Sequence, residues 1–251
     1  MRKVVFEQPP TLEVLYQDEH IVAINKPSGL LVHRSEIDKR ETLFALQLTR
    51  DLISQRVYPI HRLDRPTSGV LVFALSSDVA RMMSEQFIAH AVTKRYLAVV
   101  RGYVPKTLTI DYALKEILDK FADKDRAQDK EPQQAVTELQ SLATAELPFP
   151  SGRYPQSRYS LVELTPATGR KHQLRRHMAH IRHPILGDTN HGDGKQNKAA
   201  LDNLNLDRLA LHAKSIEFTH PITNKSVFIT AGLDKTMTEL FERCDWHQYI
   251  N

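Results

Sequence analysis

His61-Arg62-Leu63-Asp64-Arg65-Pro66-Thr67-Ser68-Gly69 runs without a break into Val70-Leu71-Val72-Phe73-Ala74-Leu75. A charged turn thus feeds a short continuous apolar run, the pattern of a strand covered on both faces. Pro66 biases Arg65 away from helical backbone angles, which places the turn at an element boundary. Asp64 lies between two guanidinium groups, and Arg62 and Arg65 would both favour its ionised form. A carboxylate held at the start of a rigid strand suits catalysis in a cleft. The same residues read also as a structural ion pair at a strand start, the commoner reading of an Asp in an Arg-rich turn, and residue chemistry alone does not settle between them.

Outward from this stretch, Leu12-Glu13-Val14-Leu15-Tyr16 and Ile21-Val22-Ala23-Ile24-Asn25 are β-favouring runs parted by Gln17-Asp18-Glu19-His20, a hairpin that Lys26-Pro27-Ser28-Gly29 ends. Further strands are expected at Arg95 to Arg101, Ala135 to Ala143, Tyr159 to Leu164, Leu209 to Phe218 and Val227 to Thr230. Helical spacing shows in Glu41 to Ser54 through Leu43, Leu46 and Ile53. It recurs in Ser77 to Ala91 through Val79, Met83 and Phe87, behind a Ser77-Asp78 cap. Three loops interrupt these elements: charged Lys115 to Pro132, Gly/Asn/Lys-rich Gly187 to Ala199, and Leu147 to Pro155, whose prolines exclude a central strand. Strands dominate, with helices interspersed irregularly. The expected fold is α+β, a mixed and mostly antiparallel central sheet flanked by helices and loops, in one domain over 1–251.

With 251 residues, 41% of them hydrophobic, the chain can bury an ordinary core. Cys244 is its single cysteine, which rules out an intrachain disulfide and points to a reducing cytoplasm. Neither a secretory signal nor an apolar run of membrane-spanning length is present, so no membrane partner is expected. The formal charge is +4, but its distribution says more than its size. Gly169 to Gly187 holds Arg170, Lys171, Arg175, Arg176 and Arg182, four histidines and no acid, an electrostatic footprint for phosphates. A solvated basic helix face would carry the same charges.

Within that stretch Leu174, Met178 and Ile181 stand at i, i+4 and i+7, so Thr168 to Ile181 reads as a helix entered at Gly169. Arg170, Lys171 and His172 would then sit at its N-terminal end, where free backbone N–H groups attract anions. Arg175 lies about 100° round the helix from Leu174, a position from which it can border the core and reach a cleft. Such an arginine calls for a defined carboxylate partner. His177, His180 and His183 recur every third residue, yet the interspersed arginines would repel a divalent cation and no ligand motif accompanies them. No metal is expected. Phosphate loops of Walker or Rossmann type are absent, so a nucleotide cofactor has no support. Tyr96 follows Lys94 and Arg95 on an expected strand. It is either core or a platform on which an unpaired base stacks.

In order and spacing, Asn25 to Gly29 with Val32-His33, His61 to Gly69, Lys94 to Gly102, Thr168 to His177 and Arg208 to Ala213 resemble the RluA-type family of pseudouridine synthases. The match covers about Leu12 to Leu233, the expected extent of the catalytic core, and the His-Arg-Leu-Asp-x-x-Thr-Ser-Gly block is highly specific to the family. The resemblance implies the pseudouridine synthase fold and isomerisation of uridine in RNA, without a cofactor. It implies that Asp64 is the catalytic aspartate, that Arg62 enters the RNA beside the displaced base, that Tyr96 stacks on the uracil, and that Arg175 pairs with Asp64. Arg170, Lys171, His172 and Arg176 become candidate phosphate contacts. Overall similarity further implies tRNA, at uridine 65, as substrate, a monomer, and no N-terminal domain of the S4 type. The same reaction on a ribosomal RNA uridine, a non-catalytic RNA-binding factor and a metal-dependent His/Asp hydrolase are the alternatives.

Overall fold

A computed structural model describes residues 6, 8–34, 41–116 and 131–250. In chain order the elements are β1 (Glu13–Gln17), β2 (Ile21–Lys26), α1 (Ala45–Ile53), β3 (Tyr58–Pro59), β4 (Ser68–Ala74), α2 (Ser77–Ile88), β5 (Thr93–Arg101) and β6 (Thr107–Asp111). There follow β7 (Val136–Leu147), β8 (Ser157–Pro166), α3 (Gln173–His180), α4 (Gly194–Leu204), β9 (Leu211–Thr219), β10 (Ser226–Thr230) and α5 (Lys235–Arg243). One sheet takes all the strands in the order β1-β2-β4-β9-β5-β8-β7-β6, with β10 on β9 and β3 on β4. Among the described residues its pairings are antiparallel except that of β4 with β9. The mixed, mostly antiparallel α+β sheet expected from the strand pattern is what forms.

Strand alternation explains the layering. On β2 and β4, Val22, Ile24, Leu71 and Phe73 share a core with Ala45 of α1, while Ile21, Ala23, Val70 and Val72 share another with Val79 and Met83 of α2. The β4 run is therefore buried on both faces. Across β5 and β8, Val99, Leu161 and Leu164 join a third core with Met178 of α3, Ala200 of α4 and Phe241 of α5. This core continues past Leu233, because Met237, Leu240, Phe241 and Trp246 are buried in it. No described helix is long and apolar enough to cross a membrane.

Three local expectations are corrected. The cap of α2 is Ser76, whose Oγ accepts from Val79 N at 3.3 Å, rather than Ser77 or Asp78. The helix expected from Thr168 begins only at Gln173, after His172 in a left-handed conformation with φ 56°. Gln173 itself ends the turn before it: Oε1 accepts from Thr168 Oγ1 at 2.7 Å and Arg170 N at 3.0 Å. Part of the expected Gly187–Ala199 loop is helical, because Asp193 Oδ1 caps Lys195 N and Gln196 N and so starts α4. Short β6, unread in the sequence, is an edge strand on β7. The charged Lys115 to Pro132 stretch falls mostly outside the described residues.

The parallel joint between β4 and β9 is two residue pairs long, Ser68 with His212 and Gly69 with Ala213. Gly69 has φ 108°, and a Cβ there would run into the Ala213 carbonyl, so the close approach requires glycine. Beside it Ser68 Oγ accepts from Arg208 Nη2 at 2.7 Å and lies 2.8 Å from His212 Nδ1. The C-terminal end of the His61–Gly69 stretch is thereby fastened to β9.

Candidate active site

A second fastening holds the middle of that stretch. Lys26 is fully buried, and its Nζ donates to the carbonyls of Pro27, Leu30 and Arg65 at 2.9, 2.8 and 3.1 Å. Burial, and then repulsion from Arg208, push its pKa well below the usual lysine value. Ser28 Oγ donates to Pro66 O at 2.7 Å, and Gly29 N to Arg65 O at 2.8 Å. The segment Lys26 to Gly29 is thus strapped to the turn that carries Asp64. Its first residue, His61, accepts from Val72 N through Nε2 at 3.0 Å and stacks on Phe87. Burial and the nearby Lys94 hold His61 down at about 3.

Arg65 does not flank Asp64 as expected. Its Nε donates to Gly29 O at 2.9 Å and its Nη2 pairs with Glu41 at 3.1 Å. Thr67 N donates to Asp64 O at 3.0 Å and closes a turn over residues 64–67, and from within that turn Arg65 reaches Gly29 and Glu41 rather than Asp64. Arg62 is exposed and lines the same cleft as Asp64.

The partner of Asp64 comes from α3. Arg175 is buried and donates from Nη1 to Asp64 Oδ2 at 3.2 Å. Its other edge is held by Asp188, with Nε to Oδ2 and Nη2 to Oδ1 both at 2.8 Å. Burial opposes the charge on Arg175, but the hydrogen bonds it donates to Asp188, with the negative charges of Asp188 and Asp64, prevail and raise its pKa. Asp188 is likewise penalised by burial, yet Arg175 and the backbone amides of His191 and Asn190 hold its carboxyl below the usual range. Asp188 was not read from the sequence. The acid-free window that ends at Gly187 stops one residue short of it, although the need of Arg175 for a carboxylate was legible.

These groups open into a cleft of about 440 Å³, a volume suited to a single nucleotide. Tyr96 on β5 lines it with Leu63, Lys94, Phe87 and Leu174. Burial, and then the charge of Asp64, push the Tyr96 phenol far above its usual value, so it stays neutral. Burial also lowers the pKa of Lys94. Arg170, Lys171 and His172 line the opposite rim, in the turn before α3 and not within its first helical turn. Arg170 Nε reaches Gln134 O at 3.1 Å, and Arg176, outside the cleft lining, reaches Lys115 O at 2.9 Å. His172 Nε2 lies 3.9 Å from Asp64 Oδ2, and its Nδ1 is 3.0 Å from His191 Nε2. An acid–arginine–acid chain, an aromatic wall and a cationic rim therefore meet at one opening.

Of the three histidines spaced every third residue, His177 meets Thr137 and Tyr112 O, His180 stacks on the Tyr112 ring, and His183 meets Arg101 O.

Residues 20–180 match the family model described as RNA pseudouridylate synthase. The chain belongs to this family. It is an RNA pseudouridine synthase, an isomerase that converts uridine to pseudouridine. The synthase is 54% identical to the tRNA pseudouridine synthase C of Vibrio parahaemolyticus over 96% of its own length and 98% of the relative's. It is 57% identical to the protein of the same name in Haemophilus ducreyi, over 94% and 97%. Among solved structures, the human RNA pseudouridylate synthase domain containing 1 superposes with a TM-score of 0.70, at 25% identity over 94% of the synthase and 90% of that chain. The human domain containing 4 gives 0.68 at 27% identity, over 92% of each. The sheet described above is the pseudouridine synthase fold.

Proposed function

We propose that this synthase acts on tRNA, at uridine 65, and that Asp64 is its catalytic carboxylate. The observation that carries the site is the hydrogen bond of 3.2 Å from buried Arg175 to Asp64 at the floor of a nucleotide-sized cleft. Names of relatives above 50% identity over nearly the whole chain support the tRNA substrate. In this reading the target uridine leaves its stack, at a cost of a few kcal/mol, and enters the cleft against Tyr96 while Arg62 fills the gap it leaves. Arg170 and Lys171 on the basic rim, and Arg176 outside it, contact phosphates. Asp64 then acts on the nucleoside, as nucleophile or as base, while Arg175 provides a fixed positive neighbour. The glycosidic bond to N1 breaks and a bond from the sugar to C5 replaces it, an isomerisation without redox change for which no cofactor is needed.

The substrate assignment is tested by mapping pseudouridines in the RNA of a strain lacking the gene, with and without the gene restored. Loss and recovery at uridine 65 of tRNA is the expected outcome. A change confined to ribosomal RNA would overturn it.

A further inference from the structure

We infer that His172 is a second catalytic residue of the synthase, the group whose Nε2 takes the proton from C5 of the uracil, and that His191 positions it. The inference rests on Asp64 being the catalytic carboxylate. Whichever way Asp64 acts, its oxygen must come within about 3–3.5 Å of a reacting atom beside the glycosidic bond. His172 Nε2 is 3.9 Å from that oxygen, too far for a hydrogen bond between them and close enough to face the same atoms.

The ring is held for this task. His172 sits in the left-handed conformation that ends the turn before α3, and it lines the cleft with its side chain only 18% exposed. On its far side Nδ1 meets His191 Nε2 at 3.0 Å, with the two rings edge to face. His191 is placed in turn by Asp188, whose Oδ1 accepts from His191 N at 3.0 Å. One carboxylate therefore locates both the arginine on Asp64 and the histidine pair beside it. Burial is the main cause that brings His172 down to about 4; Arg175, His191 and Lys171 add to it and Asp64 opposes it. Burial lowers His191 as well, with Arg175 and Arg176 adding to it and Asp188 and Asp64 opposing. Both rings are neutral at physiological pH. In the tautomer that carries its hydrogen on Nδ1 and donates it to His191, His172 presents a free lone pair at Nε2.

The chemistry of the reaction requires such a base. Once C5 has bonded to C1′, C5 is saturated and still carries its hydrogen. To finish, the C5–H bond breaks, its electron pair restores the C5–C6 double bond, the pair of the N1–C6 double bond that this displaces moves onto N1, and N1 takes up one proton. C5 and N1 are both bonded to C6, so one nitrogen facing that edge accepts the first proton and returns it to the second position. No net proton or electron is gained or lost.

The test is single-turnover kinetics on tRNA carrying ordinary or C5-deuterated uridine, with binding measured in parallel for wild type, His172→Gln and His191→Phe. His172→Gln is expected to bind tRNA within about threefold of wild type. Its turnover should fall by about 10²-fold or more, the usual contribution of a positioned general base, and a primary isotope effect at C5 larger than that of wild type should accompany the loss. His191→Phe should show a smaller loss with the same isotope signature. Unchanged turnover in His172→Gln, or a loss of affinity with saturating turnover intact, would overturn the inference, as would reduced turnover with the isotope effect of wild type. Wild-type activity that disappears in Asp64→Asn but persists in His172→Gln would defeat this inference alone. Full activity in Asp64→Asn would defeat the reading on which it rests.

Discussion

Asp188 grips Arg175 through both carboxylate oxygens, at 2.8 Å each, and leaves Nη1 of the guanidinium to donate to Asp64. The bidentate pair fixes the plane of the guanidinium, so the direction of its third bond is set before any RNA arrives. Among the described residues Asp64 hydrogen-bonds one charged group and opens to the cleft, whereas Asp188 is buried and bonded through both oxygens. The two carboxylates on one arginine have different tasks because only one of them opens to the cleft.

Asp188→Asn is expected to impair turnover without removing any group from the cleft lining. Misplacing Arg175 by about 1 Å would lower turnover by up to about a hundredfold, with affinity for tRNA within about threefold of wild type. Leaving a buried arginine underpaired should also cost about 3–5 kcal/mol of stability. Single-turnover assays alongside thermal melting check both effects.

Much of this site could be read in the sequence because its parts lie in short, dense segments. Asp64 and Arg62 share one turn, Tyr96 follows two cations on an apolar strand, and the spacing of Leu174 and Met178 already put Arg175 at a core edge. What escaped reading depends on contacts between distant segments. Arg65 looks like a partner of Asp64 until the turn closed by Thr67 N on Asp64 O carries it to Gly29 and Glu41. Asp188 and His191 lie in a Gly- and Asn-rich stretch with no periodicity, and only the folded loop brings them to α3. In the same way, Gln173 ties the start of α3 to β7, far off in sequence, with Nε2 donating to Val136 O and Thr137 Oγ1.

The rim cations should reveal themselves in salt dependence. If Arg170 and Arg176 each neutralise one phosphate, replacing either by alanine should reduce the slope of log affinity against log salt by about 0.7–0.9. Turnover at saturating tRNA should change little. Fluorescence titrations between about 50 and 200 mM salt supply the measurement; slopes equal to wild type would remove these residues from the docking surface.

Gly69→Ala should destabilise the protein, because a methyl group there meets the Ala213 carbonyl and the backbone is held at φ 108°. The strain alone is about 1–3 kcal/mol. At about 2–4 °C per kcal/mol for a chain of this size, the melting temperature should fall by at least several degrees.

Stability should decline as the solution is acidified below about pH 6.5. His61 is held at about 3, and His172 and His212 at about 4, against a usual value of 6.5, with burial as the main cause in each. Their folded-state values are depressed, so the unfolded chain binds these protons first. Stability is therefore complete above 6.5 and is lost as pH falls toward the folded values. Each such histidine contributes a slope of about 1.4 kcal/mol per pH unit within that window. Denaturant titrations from pH 7 down to pH 4.5 check the slope, and His61→Gln should make it shallower.

The most direct measurement is pseudouridine formation by purified Asp64→Asn on tRNA, with tRNA affinity determined on the same preparation. Asparagine keeps the size of the side chain and an oxygen to accept from Arg175, but removes the negative charge and the nucleophile. Affinity close to that of wild type with no detectable pseudouridine is the result expected of a catalytic Asp64. Substantial pseudouridine formation by the variant would contradict it.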